Sequence, residues 1–345
     1  MSHVLIRGGG VAALTCAHLL RRTGFRVSFE GSNRARLPAI LLSQAAQHLI
    51  AGVFDKPDLF AGLPPVRTRI VRWGADSVTL PHEAVVVSEA DLLSRLAGSE
   101  QDTDMPAPDE PAWTIHTLTP AESHSFGSRQ ASVYPVDLDG DAEPCACWIE
   151  ALGEGWLFLI TTTPGRAWLL AVGDLGAEPL RGSSVIARKI ARLGDRAGQF
   201  PTAPRIAAEL CGPNWLACGS AAMAFDPLCG DGTAHAVREA ILAAAIVTAA
   251  ARGEDSKALC AHYRARLIAA FEKHLGLCLS YYWGAPGRPW WDAQRQAIAQ
   301  GLSWCEQRRS PTFEYRLNDF TLERVNTPVA KLAPGDLKCP RSEGD

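Results

Sequence analysis

The chain has 345 residues, 47% of them hydrophobic and 21% charged, enough apolar material for one large core or two linked ones. That balance excludes a disordered or fibrous chain. With 34 Lys plus Arg against 37 Asp plus Glu and a net charge of -3, there is no global attraction for nucleic acid or anionic lipid, so neither a nucleic-acid partner nor a membrane is expected.

Met1 to Ile6 runs into a glycine cluster without a basic or long apolar leader. The most apolar helix-like run, Ile241 to Ala251, is about half the ~20 residues of a bilayer span and is bracketed by Arg238, Glu239 and Arg252. The expectation is a cytoplasmic protein. Its ten cysteines are scattered, and Cys145 and Cys147 lack the spacing of a CxxC motif, so most are expected to be buried thiols. His116 and His124 lack the further ligands of a metal site, and no metal is expected.

His3 to Ile6 reads as a buried strand, Gly8-Gly9-Gly10 as a turn, Val11 to Arg22 as a helix and Phe25 to Glu30 as a second strand. Within this β-α-β unit, Gly8-x-Gly10-x-x-Ala13 fits a dinucleotide fingerprint. Gly8 permits the tight turn, Gly10 lets a pyrophosphate approach the backbone, and Ala13 lets helix pack on strand. The helix N-terminus then faces the phosphates. Glu30 closes the second strand and is expected to accept hydrogen bonds from an adenosine ribose. Arg7 stands where a small apolar residue is usual, and either reaches toward phosphate or costs packing.

The middle of the chain changes to short alternating runs: Arg67 to Trp73, Val85 to Val87, Ser132 to Leu138, Ala146 to Leu152, Trp156 to Thr161 and Ala167 to Val172. They predict an antiparallel sheet. Gly98 to Pro111, rich in proline and acid, reads as an exposed loop. Trp156 and Phe158 are candidates for lining a substrate pocket, whereas Trp283, Trp290, Trp291 and Trp304 are read as core. His274, beside Lys273, reads as a helix-surface histidine.

From Trp215 the chain reads Trp-Leu-Ala-Cys-Gly-Ser-Ala-Ala-Met-Ala-Phe-Asp-Pro-Leu-Cys-Gly-Asp-Gly-Thr, followed by an Ala-rich helix from about Ala234 to Ala251. This is similar to the second flavin motif of the FAD-dependent aromatic hydroxylase superfamily, a strand ending in Gly-Asp-Ala-Ala and then Asp-Pro-x-x-Gly-x-Gly. The resemblance implies that Asp226-Pro227 and Gly230-Asp231-Gly232 pass along the flavin ring, with the helix N-terminus aimed at its N1 and C2 carbonyl edge. A helix N-terminus there stabilises the negative charge of reduced flavin.

Three positions depart from the family pattern. Ser220 replaces the aspartate that bonds the ribityl chain, and Glu89, in Val87-Ser88-Glu89-Ala90-Asp91-Leu92-Leu93, stands where the family often has arginine. Phe126-Gly127-Ser128-Arg129 resembles the family's ribose-side Asp-Gly motif without its aspartate. Gly155-Trp156-Leu157-Phe158-Leu159-Ile160 partially resembles the GWxWxIP signature of tryptophan halogenases, but no lysine lies between Lys56 and Lys189 to match the halogenase lysine. His274 to Trp291 looks like the tail shared by halogenases and the flavoproteins that mature tryptophan-derived quinone cofactors, and the chain length suits the second branch.

The resemblance implies an α/β, Rossmann-like FAD-binding fold (GR2-type) with an inserted antiparallel β-sheet substrate region and a C-terminal helical segment. Residues 1–60, 84–130 and 204–255 are expected to form the FAD-binding domain, 61–83 and 131–203 the substrate sheet, and 256–345 the helical region. The expected cofactor-binding residues are Gly8, Gly10, Val11, Ala12, Ala13, Glu30, Gly31 and Arg36 from the first unit, and Gly219, Ser220, Asp226, Pro227, Gly230, Asp231, Gly232 and Thr233 from the second. The implied activity is an FAD-dependent monooxygenase acting on an aromatic, indole-like or peptidyl tryptophan substrate. NAD(P)H or a separate flavin reductase supplies electrons, and no catalytic acid or base is singled out. The alternatives are a flavin-dependent halogenase and a degenerate flavoprotein serving as a non-catalytic partner.

Overall fold

The computed structural model describes residues 2–31, 36–97, 110–118, 122–285, 287–310 and 312–330. The chain opens with β1 (His3–Arg7), α1 (Val11–Arg22) and β2 (Arg26–Glu30). It continues through β3 (Ile40–Ser43), α2 (Gln44–Phe54), β4 (Pro65–Arg72), β5 (Ser77–Val87), α3 (Glu89–Ala97), β6 (Trp113–His116) and β7 (Ser123–Ser125). The middle holds β8 (Gln130–Leu138), β9 (Ala146–Leu152), β10 (Gly155–Thr163), β11 (Arg166–Gly173), β12 (Ile190–Leu193), β13 (Gly198–Pro201) and β14 (Arg205–Ala207). Then come β15 (Cys211–Gly212), β16 (Trp215–Ala217), β17 (Met223–Ala224), α4 (Gly232–Ala251), α5 (Ser256–Trp283), α6 (Pro289–Glu306) and the hairpin β18 (Thr312–Asn318) and β19 (Thr321–Ala330).

Two sheets carry the architecture. In the first, ordered β15-β16-β6-β1-β2, strands β16, β6, β1 and β2 run parallel. Val4 and Ile6 are wholly buried in it, as expected of a strand covered on both faces. The second sheet has nine strands in the order β12-β8-β11-β10-β9-β4-β5-β3, with β13 also pairing with β8. It is antiparallel except where β4 meets β9. The period of two sorts its side chains. Cys147, Ile149 and Ala151 of β9, with Trp156 and Phe158 of β10, face the main core, while Trp148, Leu157 and Leu159 face a second cluster capped by Ile186.

Several expectations need correction. β3 lies in the nine-stranded sheet although it falls within the expected cofactor domain, and β5 crosses the expected boundary at residue 84. The first half of β5, Ser77-Val78-Thr79-Leu80-Pro81, is exposed, Val78 and Leu80 included, and its proline argues against a strand in a periodicity reading. The expected C-terminal helical region also contains the β18–β19 hairpin, which seats Tyr315 against His262. Residues 98–109 of the expected acidic loop lie outside the described residues. The apolar run at Ile241 belongs to a 20-residue helix that is long and apolar enough to cross a membrane, but 72% of its most apolar window is buried inside the protein. Its alanines let α1 approach closely, and Cys16 Sγ of α1 lies 3.7 Å from the Ala240 carbonyl. α4 is a core helix.

Candidate functional site

The first glycine turn has the geometry its sequence demands. Gly8 (φ +122°) donates its N–H to the Glu30 carbonyl at 2.8 Å, and a side chain there would strike Thr117. Gly10 (φ +97°) precedes α1 with no side-chain cap among the described residues, and no acid occupies the first helical turn. The leading N–H groups of α1 are thus free for an anion. Val11, Ala12 and Ala13 are buried beneath them.

The second turn meets the first. Gly219 (φ +60°) opens a short 3-10 turn, and a Cβ on it would lie 2.7 Å from the Ala12 side chain. Two motifs about two hundred residues apart therefore share a seat at the start of α1. Beyond it, Asp226 caps the 3-10 turn Pro227–Cys229 by accepting the Leu228 N–H at 2.9 Å, and Gly230 (φ +67°) reverses the chain into α4. Asp231 points its carboxylate to Arg238 at 2.8 Å, leaving α4 without a side-chain cap and without an acid in its first turn among the described residues. Gly230 and Gly232 are exposed, and Thr233 is half-buried.

Asp226 anchors this turn from within. It is 1% exposed. Its Oδ2 accepts the Tyr282 hydroxyl at 2.7 Å and lies 3.2 Å from Arg129 Nε, and its backbone N–H donates to His274 Nε2 at 2.9 Å. Arg129, wholly buried, also donates to Gln294 Oε1 at 2.7 Å and stands 5.2 Å from the Tyr282 ring centre. The His274 pKa is lowered to about 3, first by burial and then by His235 and Arg129, which keeps the ring neutral and able to accept.

No family model and no curated protein matches the chain. Solved structures do. A peptidyl tryptophan dihydroxylase, QhpG, essential for tryptophylquinone cofactor biogenesis, has a TM-score of 0.71 at 19% identity over 95% of this chain and 87% of its own. CmlS, a flavin-dependent halogenase, has 0.71 at 17% over 88% and 70%, and the myxobacterial chondrochloren halogenase CndH has 0.67 at 16% over 89% and 91%. This is the FAD-binding halogenase and monooxygenase fold.

The FAD-binding fold gives the predicted residues distinct environments. The glycines and uncapped helix starts suit FAD, since they offer backbone donors with no Cβ or acidic side chain in the way. Glu30 and Arg7 are both exposed and pair with each other at 2.8 Å, so Arg7 at the end of the first strand reaches the acid that ends the second. Gly31 is exposed. Arg36 lies 3.8 Å from Glu89, whose buried carboxylate accepts the Leu37 N–H at 2.9 Å. Ser220 is exposed, and its carbonyl accepts Arg205 Nη2 at 2.9 Å.

Within the fold, Trp156 and Phe158 are 0% and 8% exposed. α5 and α6 close over the face of the sheet that carries these two candidates. Trp291 packs edge-on to Trp73 at 5.4 Å and to Tyr282 at 5.2 Å, and donates its indole N–H to the Leu152 carbonyl at 2.8 Å. Trp291 is core as expected, whereas Trp283 is 68% exposed with Arg295 5.2 Å from its ring. A surface hollow of about 640 Å³ between His124, Leu210, Arg264 and Trp304 is lined by neither glycine turn.

The sequence reading missed Arg129, Tyr282, Gln294, Cys229 and Cys278, and placed His274 on the surface although it is 4% exposed. One signal was available. His274, Cys278 and Tyr282 stand at i, i+4 and i+8 of α5, one face of the helix, and that face meets the Asp226 turn. His116 and His124 lie in different sheets.

Glu239 of α4, also unpredicted, sits under the Gly219 turn with its Oε2 accepting the Gly219 N–H at 2.8 Å. Burial raises its pKa to about 8 despite that bond, from 4.5. Between those values the folded chain holds a proton that the unfolded chain has released, so stability falls as pH rises, by about 1.4 kcal/mol per pH unit for this group. In urea unfolding from pH 5 to 8, the parent is expected to lose stability relative to Glu239→Gln by that slope, the other titrating groups being common to both. Equal slopes would mean the carboxyl is ionised in the fold.

Proposed function

We propose that the chain is an FAD-dependent monooxygenase acting on an electron-rich aromatic side chain or ring, with peptidyl tryptophan the favoured class. The observation that carries this is the seating of Gly219 on the first turn of α1, which brings the second glycine segment against the first, with α1 and α4 both starting without a side-chain cap among the described residues. When bound there, FAD would supply activation of dioxygen for oxygen transfer. The chain's own part is to hold the dinucleotide on the backbone of Gly8, Gly10 and Gly219, and to present the α4 N-terminus to negative charge on the ring. Asp226, through Arg129 and Tyr282, fixes the turn that does so. The match to the peptidyl tryptophan dihydroxylase spans 95% of this chain, against 88% for CmlS and 89% for CndH, which favours a peptidyl substrate. No lysine lies between Lys56 and Lys189 to match the halogenase one, and the β4 arginines Arg69 and Arg72 are engaged with His82 and Glu150.

FAD titration followed by flavin fluorescence tests the reading. The parent is expected to bind, and Gly219→Ala to bind about tenfold more weakly, because its methyl group strains a positive φ and presses on Ala12. With NAD(P)H or a flavin reductase, a tryptophan-containing peptide should gain oxygen. Halide-dependent mass gain would assign halogenation instead. A second reading, a non-catalytic flavoprotein relative, is favoured by exposed, neutral Ser220 and by Glu30 already paired with Arg7. It predicts no FAD binding in the parent and recovered binding in Ser220→Asp.

A further inference from the structure

We propose that Cys229 and Cys278 are a dithiol that hydrogen peroxide converts to a disulfide, fastening the Asp226–Gly230 turn to α5. The two sulfurs are already in contact at 3.4 Å, on segments 49 residues apart in sequence. Cys229 is half-buried at the end of its 3-10 turn, open to a small oxidant, and Gly230 after it leaves the turn room to adjust. Cys278 is buried, and its Sγ lies 3.2 Å from His274 Nε2. That nitrogen already accepts the Asp226 N–H at 2.9 Å, so the Cys278 sulfur is left facing Cys229 as its thiol partner. Closing the bond brings the sulfurs from 3.4 Å to about 2.05 Å.

The chemistry runs in two steps. The Cys229 sulfur attacks one peroxide oxygen, the O–O bond breaks, and the departing hydroxide takes the thiol proton as water, leaving a sulfenic acid. The Cys278 sulfur then attacks the Cys229 sulfur, the S–O bond breaks, and the oxygen leaves as a second water with the Cys278 proton. Two thiols are oxidised by two electrons and one peroxide is reduced to two waters.

These atoms also form a Cys-His-Cys group whose ligand atoms lie within 4.8 Å of one another. His274 Nε2, however, already accepts the Asp226 N–H, which a metal would have to displace. The oxidation reading is therefore the one argued.

The test uses the full chain without added flavin, so its outcome is independent of the proposed activity. Peroxide treatment, alkylation in denaturant and peptide mass spectrometry should yield one linked peptide pair carrying Cys229 and Cys278. It should be two hydrogens lighter than the sum and be reversed by dithiothreitol. Cys278→Ser should abolish the link and leave Cys229 as a sulfenic acid trapped by dimedone. If that variant does not fold, Cys229→Ser at the half-buried position should leave Cys278 unoxidised. Dimedone trapping of Cys229 in the parent without a link, or both thiols surviving peroxide that oxidises Cys145, would overturn the proposal. So would one zinc per chain retained through dialysis and lost in Cys229→Ser, which would assign a metal site instead.

Discussion

Replacing Asp226 with alanine is expected to destabilise the fold by about 3 to 5 kcal/mol, measured by urea unfolding, and to abolish tight FAD binding in the fraction that folds. Among the described residues, the carboxylate is the only acid set against the wholly buried Arg129 guanidinium. Removing it leaves a charge in the interior with Gln294 and the Tyr282 ring as its remaining contacts, and strands the Tyr282 hydroxyl. It also uncaps the turn that presents Gly230 and the start of α4. Asp226→Asn keeps one of the two acceptor oxygens, which now take Leu228 N–H and Tyr282 O–H separately, and loses the charge, so it should lie between parent and alanine. Adding Arg129→Gln to Asp226→Asn is expected to cost less than the two single changes summed, since the second removes the charge exposed by the first. Additive losses would mean that the pair does not act as a unit.

Local order was legible because local chemistry determines it. The run from Val11 to Arg22, flanked by glycines, forms the expected helix, and the alternation from Ala146 to Leu152 forms the expected strand. The meeting of the two glycine turns was legible only through resemblance, since nothing in either segment specifies the other; the fit depends on the absence of a Cβ at Gly219 opposite a methyl at Ala12. The polar network under the turn was not legible. Arg129, Asp226, His274, Tyr282 and Gln294 come from four segments, and apart from the motif residue Asp226 nothing in the sequence marks them as belonging together. Only folding, which buries them together, turns ordinary polar side chains into obligatory partners. For Trp156 and Phe158, strand alternation shows which face they take, and says nothing of the helices that cover that face.

Glu150 presents the same logic on the opposite face of the nine-stranded sheet. It interrupts the apolar run of β9, yet is wholly buried, and its oxygens accept from Ser183 Oγ at 2.6 Å, Ser184 N at 2.8 Å and Ile186 N at 2.9 Å, with Arg72 Nη1 at 3.2 Å. Burial alone would raise its pKa, but the hydrogen bonds from Ile186, Ser183, Ser184 and Val185 outweigh it and hold the carboxyl below its ordinary 4.5. Because the folded value lies below the unfolded one, this contribution is fully present above about pH 4.5 and is lost as pH falls through the folded value. Glu150→Ala leaves Arg72 and a row of N–H donors without their acceptor and is expected to cost about 3 to 5 kcal/mol at pH 7. Glu150→Gln replaces one acceptor oxygen by a donor facing other donors, and should lose less. Hydrogen exchange at Ser184, Val185 and Ile186 should accelerate in both variants, while FAD affinity of the folded protein stays at the parent value. That separation follows from the pleat: Glu150 alternates with Ile149 and Ala151, which face the main core, so its loop covers the side of the sheet turned away from the glycine turns. Unchanged exchange at those three amides would show that the loop is held by its apolar contacts through Ile186 rather than by the carboxylate.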